Sequence, residues 1–554
     1  MMMNGARILV EELIRQGVEV IFGYPGGSVL NIYDELYLAS DRIRHVLSAH
    51  EQGAAHAADG YARASGKTGV VLATSGPGAT NLVTGIANAY LDSVPMVAIT
   101  GNVAVENLGK DSFQEVDIVG VTQPVVKHNY MVRDVKDLQK TIIEAFEIAN
   151  SGRKGPVLID IPKNVQIAEY EYDSKLTVPS VVKKRSSDNR ERIQQVVQMI
   201  KKAERPLIYA GGGVLSSGAE KEVLELSKRL DAPVSLSMMG ITAVPWSYPL
   251  NLGMCGMHGK FASIKAQSEC DLMLAVGVRF SDRATGDLEE YTKKCMTVHI
   301  DIDRAEIGKN VNPDVSMWGD VKEILTELLA AVPQCSHPQW AAQVEEYKNA
   351  EVLPKPKEFG PRAIIEEVNR HCSPDTIVAT DVGQHQMWAM QFYHYEKPRV
   401  LLTSGGLGTM GYGLGAAIGG CIACGRKRTV LFTGDGSFGM NLNEMATAVS
   451  QELPITIVIF NNDVLGMVRQ WQTIFYEEHY SQTTLNRRTD FPALANAFGA
   501  KGYSAYTCSD LEAALNAAQK EAGPVLIDCH IDKDEKVLPM IPPGRSAKDM
   551  IVKG

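Results

Sequence analysis

The sequence predicts an α/β protein built from doubly wound parallel sheets. Short β-branched runs alternate with helix-like segments along most of the chain, which is typical of this class. Residues 69–100 and 429–460 share one order of strand, polar glycine turn, helix, proline and strand, which indicates a repeated βαβ unit. The length of 554 residues suits about three or four domains. We therefore expect three such domains.

The first domain is predicted to occupy residues 1–180. The pattern predicts helices at 6–16, 53–64 and 79–88 and strands at 18–22, 69–73 and 95–100. Residues 60–68 resemble a phosphate-binding loop, but five residues separate its glycines where four are required, and it follows a helix. That interpretation is therefore rejected.

The second domain is predicted at residues 189–345, after a charged linker at 181–188. The strand at 206–210 leads into Gly211, Gly212 and Gly213, and a later strand at 297–303 ends in acidic residues. A glycine turn after one strand and acids at the end of another suit a dinucleotide, although a glycine turn alone is weak evidence.

The third domain is predicted at residues 360–554, after a linker at 351–358. Its βαβ unit ends one strand at Asp435 and the next at Asn462. The carboxyl ends of parallel strands are where open α/β sheets bind ligands. Aspartate, asparagine and a loop carbonyl offer hard oxygen ligands that suit magnesium. Two ordinary polar turns would also account for these residues. What favours a binding site is that GDG and NN are separated by a whole βαβ crossover.

Composition excludes several classes of function. The net charge of −10 argues against a nucleic-acid binder, and the longest apolar runs are strand-length, which argues against a membrane span. Nine scattered cysteines and no leader-like segment predict reduced thiols and a cytoplasmic location. Cys421 and Cys424 form a CxxC without a second pair, so we expect structural thiols and no zinc site.

Several motifs together resemble thiamine-diphosphate enzymes, and in particular the acetohydroxyacid synthases, also called acetolactate synthases. They cover essentially the whole chain. The motifs are GYPGG at 23–27, SAHEQGAA at 48–55, TSGPGATN at 74–81, FQE at 113–115, DIPKN at 160–164, RFSDRATG at 279–286, DVGQHQMW at 381–388, SGGLGTMGYG at 404–413, and GDG followed by NN at 434–462.

This resemblance implies three bound cofactors. The magnesium ligands would be Asp435, Asn462 and the carbonyl of Val464. The contacts to thiamine diphosphate would be Gly383, Gln384, His385, Gly408, Met410, Gly436, Ser437, Met440 and Gly466. An FAD that takes no part in redox turnover would contact Gly211, Gly212, Gly213, His258, Arg279, Arg283, Asp301 and Asp320.

The resemblance also implies the catalytic and substrate residues. Glu51, at a predicted helix start, would serve the cofactor's pyrimidine nitrogen as a general acid–base, although a glutamate there could simply complement the helix dipole. The other implied catalytic residues are Gln114, Lys163 and Gly27. The implied substrate contacts are Arg283, Trp471 and Met467.

The implied reaction decarboxylates pyruvate and transfers the hydroxyethyl unit to pyruvate, giving 2-acetolactate, or to 2-ketobutyrate, giving 2-aceto-2-hydroxybutyrate. The resemblance also implies a homodimer or dimer of dimers with shared active sites, and a regulatory small subunit. The chain departs from the family pattern at Ala104, Glu106, Ser281 and Gly415, which leaves herbicide response and channel contacts open.

Three alternatives remain. Another thiamine carboligase, such as glyoxylate carboligase, is disfavoured by Glu51, because that enzyme lacks the acid. A flavin-free catabolic acetolactate synthase is disfavoured by RFSDR and by IDIDRAEIGKN at 300–310. A non-enzymatic nucleotide-binding or chaperone-like module would leave Glu51, Asp435 and Asn462 unexplained together.

Overall fold

The structure is a computed structural model that describes residues 1–182, 188–293, 295–350 and 352–553. Most of the predicted first linker, residues 183–187, lies outside the described residues, as does Glu351 at the start of the second. The described residues form three six-stranded parallel sheets, each drawn from one continuous part of the chain. The predicted class of doubly wound parallel sheets is confirmed.

The first sheet has its strands in the spatial order Arg44–Leu47, Val20–Tyr24, Gly69–Ala73, Met96–Asn102, Pro156–Pro162 and His128–Met131. A short antiparallel pair, Met2–Asn4 with Glu169–Glu171, lies beside it. Its helices are Gly5–Arg15, Leu30–Leu38, Glu51–Ser65, Pro77–Asn81, Val83–Leu91, Ile118–Thr122, Val135–Asn150 and Lys163–Ile167.

The central sheet has the order Asn251–Met254, Val234–Leu236, Pro206–Ala210, Leu272–Val276, Met296–Asp301 and Val315–Trp318. Its helices are Arg190–Lys202, Gly212–Ser217, Glu220–Leu230, Phe261–Glu269, Asp282–Thr285, Leu288–Tyr291, Val321–Ala331 and Pro338–Asn349.

The third sheet has the order Leu401–Leu402, Ile377–Thr380, Thr429–Gly434, Ile455–Asn461, Val525–His530 and Lys501–Ala505. Its helices are Pro361–Arg370, Gln384–Phe392, Tyr412–Ala423, Asp435–Asn441, Met445–Ser450, Gly466–Phe475, Phe491–Phe498 and Cys508–Ala518. Single 3₁₀ turns occur at Val105–Asn107, Gln123–Val125, Met238–Gly240, Leu442–Glu444 and Ala547–Asp549.

Two local expectations differ from the structure. The single helix expected at 79–88 is two helices that meet at Leu82, where the Leu82 N–H donates to the Ala79 carbonyl oxygen three residues back (3.2 Å) and so leaves the i to i−4 pattern of an α-helix. The polar segment after Gly434, which the sequence pattern suggested as a turn, is helical. Asp435 is the first residue of the helix Asp435–Asn441.

The first and third domains meet along two helices that are rich in alanine and glycine, Glu51–Ser65 and Tyr412–Ala423. Their backbones lie so close that a Cβ atom at Gly419 would collide with the carbonyl oxygen of Ala57. Burial of small residues on both helices therefore joins the two domains and fixes the position of Glu51 relative to the third sheet.

In the described part of the chain, no helix combines the length and apolar content that crossing a membrane requires. All nine cysteines are free thiols. Cys421 is buried on the small-residue helix that packs against the first domain, and Cys424 is half-buried directly after the end of that helix.

Candidate active site

Two polar residues lie at neighbouring strand ends of the third sheet. The strands Thr429–Gly434 and Ile455–Asn461 pair in parallel with Gly434 opposite Phe460, so Asp435 and Asn462 leave the sheet at the same edge. Both side chains are buried. Burial raises the pKa of Asp435 to about 7, and the nearby charges of Asp463 and Asp528 also raise it. This buried carboxyl is therefore an unfavourable place for a charge unless a cation compensates it.

The donor atoms at this edge suit magnesium. The Asp435 carboxylate and the Asn462 amide oxygen follow neighbouring strands at one edge of the sheet, and Val464 lies two residues after Asn462. The Val464 N–H donates to the Asn462 Oδ1 (3.3 Å). In the described residues no three His, Cys, Asp or Glu side chains cluster as a metal site. A set of one carboxylate with amide and carbonyl oxygens is the kind that magnesium accepts and zinc does not prefer.

The segment around Gln384 faces the same edge. Gly383 precedes the helix Gln384–Phe392, and the first N–H groups of a helix favour an anion such as a phosphate. The His385 Nε2 atom is buried and has no hydrogen-bond partner in the part of the chain that the structure describes. Burial lowers the pKa of His385 to about 3, so its ring is neutral. An unsatisfied buried nitrogen beside a helix start fits a polar ligand.

Gly466 and Gly436 leave room at this edge. A Cβ atom at Gly466 would overlap the Gln384 amide, and one at Gly436 would lie 2.8 Å from the Leu465 Cδ2 atom. Glycine is therefore the residue that allows the two loops to approach each other. Ser437 is buried on the first turn of the helix Asp435–Asn441, and Met440 is 61% exposed near its end.

The segment from Ser404 to Gly411 is held by an acid that the sequence analysis did not select. The Gly411 N–H donates to the Asp381 Oδ1 (2.8 Å), and the Thr433 hydroxyl donates to its Oδ2 (3.0 Å). Asp381 is buried, and burial raises its pKa. It links the segment carrying Gly408 and Met410 to the strand that precedes Asp435. The available signal was its place directly after a buried strand, the same place as Asp435.

Glu51 is the first residue of the helix Glu51–Ser65, as predicted. The Asn81 amide donates to its Oε2 (2.9 Å), and a Cβ at Gly78 would lie 3.2 Å from its Oε1. The glycine therefore leaves one carboxyl oxygen uncovered. Glu444 of the third domain accepts the His50 N–H (2.9 Å) and fixes this helix start.

The other residues predicted as catalytic lie in loops of the first domain. Gln114 has a positive φ of 58°, and its backbone packs against Gly76. Gly27 and Lys163 are exposed. The cavity where Trp471 lies has other lining residues, and Gly27, Gln114 and Lys163 are not part of its described wall.

A cavity of about 1050 Å³ lies where the three domains meet. This volume is at the upper end for a cofactor or ligand pocket. Predicted site residues that line it are Gly212, Gly213, His258, Arg279, Arg283, Asp301, Asp320, Gly408, Met467 and Trp471. The structure thus brings most of the predicted flavin and substrate residues together. Gly211 is not part of the described cavity wall, and its N–H donates to the Val276 carbonyl oxygen (2.9 Å).

The cavity wall contains groups that fit a polar ligand. The His258 Nδ1 is buried and has no partner among the described residues, and burial together with Arg283 lowers the pKa of His258 to about 4. Burial raises the pKa of Asp301 to about 7. A Cβ at Gly213 would lie 2.6 Å from the Gly277 Cα, so glycine is needed where these two loops pass.

Arg283 and Trp471 come from different domains and meet in the cavity. The Arg283 guanidinium carbon lies 5.5 Å from the centre of the Trp471 ring. A cation over an indole face is favourable, and the remaining guanidinium edge can bind a carboxylate. The cavity thus offers an apolar wall next to an anion-binding group.

Family models match all three domains. The thiamine pyrophosphate enzyme N-terminal TPP binding domain matches residues 3–121, the central domain matches 193–328, and the C-terminal TPP binding domain matches 381–529. Thiamine pyrophosphate is another name for thiamine diphosphate. The fold and the site therefore define a thiamine-diphosphate enzyme.

Relatives that match over the full length of the chain show which group of thiamine-diphosphate enzymes it resembles. The chain is 43% identical over 552 residues to the acetolactate synthase isozyme 2 large subunit of Escherichia coli, covering 100% of both chains. It is 44% identical over 568 residues to the acetolactate synthase of Arthrospira platensis, covering 99% of this chain and 97% of that one. It is 44% identical to the probable acetolactate synthase large subunit of Methanocaldococcus jannaschii, with 98% and 94% coverage. The chain belongs to the acetolactate synthase family of thiamine-diphosphate enzymes.

Proposed function

We propose that this chain is the catalytic subunit of an acetolactate synthase in branched-chain amino-acid biosynthesis. It decarboxylates pyruvate and joins the two-carbon unit to a second pyruvate or to 2-ketobutyrate. The observation that carries the proposal is the pair of buried oxygen donors, Asp435 and Asn462, at neighbouring strand ends beside the unsatisfied His385 Nε2. Bound thiamine diphosphate supplies the electron sink that decarboxylation of a 2-keto acid requires.

The third domain holds the diphosphate end of the cofactor in this proposal. Asp435, Asn462 and the Val464 carbonyl bind magnesium, while Gly383, Gln384 and His385 contact the diphosphate. Two features support the assignment: the oxygen donor set, and the start of the helix Gln384–Phe392 at the same edge. Gly436, Ser437, Met440 and Gly466 complete this part of the site.

Glu51 controls the proton in the proposed mechanism. Its Oε2 is fixed by the Asn81 amide, and its Oε1 faces the space that Gly78 leaves open. A carboxyl group held by one oxygen can accept or donate a proton through the other. Gln114, Lys163 and Gly27 are proposed to line the same face, and the exposure of Gly27 and Lys163 leaves them accessible to a reactant.

Arg283, Met467 and Trp471 are proposed to receive the acceptor 2-keto acid. Every such acceptor carries a carboxylate, and a guanidinium can bind it with two parallel hydrogen bonds. Trp471 provides an apolar surface beside Arg283. Both lie on the wall of the large cavity, which can also exclude water from the reaction.

FAD is proposed to fill the central-domain side of this cavity without redox turnover. The support is the cavity size, the unsatisfied His258 Nδ1, and the lining by Gly212, Gly213, Arg279, Asp301 and Asp320. Purified protein should show flavin absorbance and release FAD on denaturation. A colourless protein that is fully active without added flavin would instead favour the catabolic alternative.

A homodimer with shared active sites is also proposed. Large apolar side chains around both halves of the site are exposed in one chain, including Phe113 at 88%, Met440 at 61% and Leu47 at 52%. A second copy that placed its third domain over Glu51 would bury them. The relatives are named large subunits, which supports a regulatory small subunit as a further partner. A cytoplasmic location remains part of the proposal.

An assay of acetolactate formation tests the proposed function. Pyruvate, magnesium and thiamine diphosphate should together give acetolactate, and omission of either cofactor should abolish it. A parallel assay with glyoxylate alone tests the other carboligases. Tight thiamine-diphosphate binding with no product from either substrate would favour a binding module and contradict the proposal.

A further inference from the structure

We propose that Asp92 is a positioning residue for the cofactor: its carboxylate holds the turn at Gly405 and Gly406 and thereby fixes the segment that carries Gly408 and Met410. This inference rests on the proposed function, because that segment is the proposed pyrimidine contact. Asp92 belongs to the first domain, and the turn that it holds belongs to the third.

The Asp92 carboxylate uses both oxygens on this turn. The Gly406 N–H donates to its Oδ1 (2.7 Å), and the Gly405 N–H donates to its Oδ2 (3.0 Å). Arg63 also donates to Oδ2 from its Nη2 (2.8 Å). The Asp92 side chain is fully buried. One buried acid thus binds two consecutive backbone amides of another domain, which fixes both the position and the direction of that turn.

The balance of buried charges indicates that Asp92 does more than form an ion pair with Arg63. Arg63 already has a carboxylate partner in Asp59, whose Oδ1 accepts its Nε–H at 2.5 Å, so these two charges cancel without Asp92. Asp92 therefore adds a second buried negative charge. Such a charge is costly unless hydrogen bonds compensate it. The two glycine amides supply that compensation, so the carboxylate and the turn stabilise each other.

A second contact ties the same segment to the same helix. Asn88, four residues before Asp92, accepts a hydrogen bond from the Ser404 hydroxyl at 2.5 Å and one from the Thr409 hydroxyl at 3.3 Å. The Tyr412 hydroxyl donates to Asp59 (2.7 Å). The segment is thus held on both sides of Gly408, which is exposed and has a positive φ of 70°.

The sequence of the turn agrees with this role. A Cβ at Gly406 would lie 2.8 Å from the Asp92 Oδ1, and one at Gly405 would overlap the Met239 sulfur. Asp92, Gly405 and Gly408 also line the large cavity. Asp92 therefore stands between the proposed flavin space and the proposed pyrimidine segment.

The test is Asp92→Asn in the full-length protein. The new amide must direct its N–H₂ group at a glycine N–H or at Arg63, so at least one of these donors loses its acceptor. Hydrogen exchange of the peptide covering residues 403–411 should become about 10-fold faster. The dissociation constant of thiamine diphosphate with magnesium should rise about 10-fold, a change of about 1.4 kcal/mol.

The kinetics distinguish positioning from general damage. With saturating cofactor, kcat should fall about 10-fold while the KM for pyruvate is unchanged, because the substrate contacts are intact. The matched control is Asp134→Asn. Asp134 accepts the Lys136 N–H (3.1 Å) at a helix start within the first domain, away from the turn. This control should leave cofactor affinity and exchange in residues 403–411 unchanged.

Three results decide the question. Unchanged exchange at 403–411 and unchanged cofactor affinity in Asp92→Asn would overturn the positioning role. If Asp92→Asn unfolds, Asp92→Glu keeps the charge and its Arg63 partner but displaces the carboxylate by one methylene from the Gly405 and Gly406 amides. Faster exchange confined to 403–411 and weaker cofactor binding in that variant support the inference, and no change in either overturns it. A wild-type chain that binds no thiamine diphosphate refutes the proposed function itself.

Discussion

Asp435 is the side chain on which cofactor binding should depend most. Asp435→Ala removes the one charged oxygen donor proposed for magnesium, at a buried strand end where water does not readily replace it. Because loss of an outer-shell partner already costs 10–100-fold in metal affinity, we expect thiamine diphosphate with magnesium to bind at least about 100-fold more weakly. Titration of the purified protein measures this.

The control for that prediction is Asp463→Asn. Asp463 is exposed, and its charge raises the pKa of Asp435. Asparagine tolerates the positive φ of 55° at this position. It should retain cofactor affinity within a few-fold. Wild-type affinity in Asp435→Ala would show that the metal ligands lie elsewhere.

Trp471 should govern the choice between acceptors. Pyruvate and 2-ketobutyrate differ by one methylene, and contact of that group with an apolar wall should favour 2-ketobutyrate by about 1–3 kcal/mol. Trp471→Leu should lose most of this preference and still form acetolactate, whereas Arg283→Ala should weaken both products. A competition assay with both acceptors measures the product ratio.

Phe475→Leu provides the matched control for Trp471. Its ring lies 5.6 Å from the Trp471 ring, but Phe475 is not part of the cavity wall. The product ratio should therefore stay at the wild-type value in Phe475→Leu. If Trp471→Leu also gave the wild-type product ratio, the indole would only pack against its neighbours and would not contact the acceptor.

Sequence patterns predicted some of these residues and missed others for a physical reason. Asp435 and Asn462 follow buried strands, so local patterning and the parallel crossover locate both. Asp92 and Asp381 also follow regular elements, but their meaning depends on partners far along the chain, such as Gly405 and Gly411. Such pairings follow from domain packing, which hydrophobic periodicity does not encode.

At the scale of elements, the pair of helices Glu51–Ser65 and Tyr412–Ala423 is the most sensitive packing contact. Gly419→Ala would place a Cβ atom against the Ala57 carbonyl oxygen, so the helices would have to separate. Overpacking typically costs about 1–3 kcal/mol, and contact with rigid backbone should exceed that range. We expect a clearly lower Tm and loss of activity, because Glu51 begins one of these helices.

Gly523→Ala is the control for the helix pair. No atom lies within 4 Å of a Cβ added at Gly523, so its Tm and activity should match the wild type. Thermal unfolding followed by circular dichroism measures both variants. A Gly419→Ala protein with wild-type Tm would show that the helices are further apart than the structure places them.

At the scale of the whole molecule, the sequence predicted the three sheets but not how they meet. Each sheet comes from one continuous stretch, so its strand pattern is local. The cavity depends on how the domains dock, and the proposed cover for the exposed Phe113 and Met440 depends on a second chain. The proposed division of one active site between two chains is the hardest feature to predict from the residue pattern, because that pattern does not encode contacts between chains.

Mixed dimers test that division. If Glu51 of one chain meets Asp435 of the other, a dimer of Glu51→Gln with Asp435→Ala has one site with both changes and one site with neither. Each variant alone should be inactive. Random mixing of equal amounts makes about half of the dimers mixed, each with one intact site, so co-expression should restore about one quarter of wild-type activity.

Two different affinity tags allow the mixed dimers to be purified, and they should have about half of the wild-type specific activity, because one of two sites is intact. A tagged pair of two Glu51→Gln chains is the control and should stay inactive, since every site then lacks the acid. Mixed dimers that are stable, bind cofactor and remain inactive would place Glu51 and Asp435 in a site within one chain. The exposed side chains of Phe113 and Met440 argue for the shared arrangement, because large apolar groups that one chain leaves uncovered are typical of an interface with a second chain.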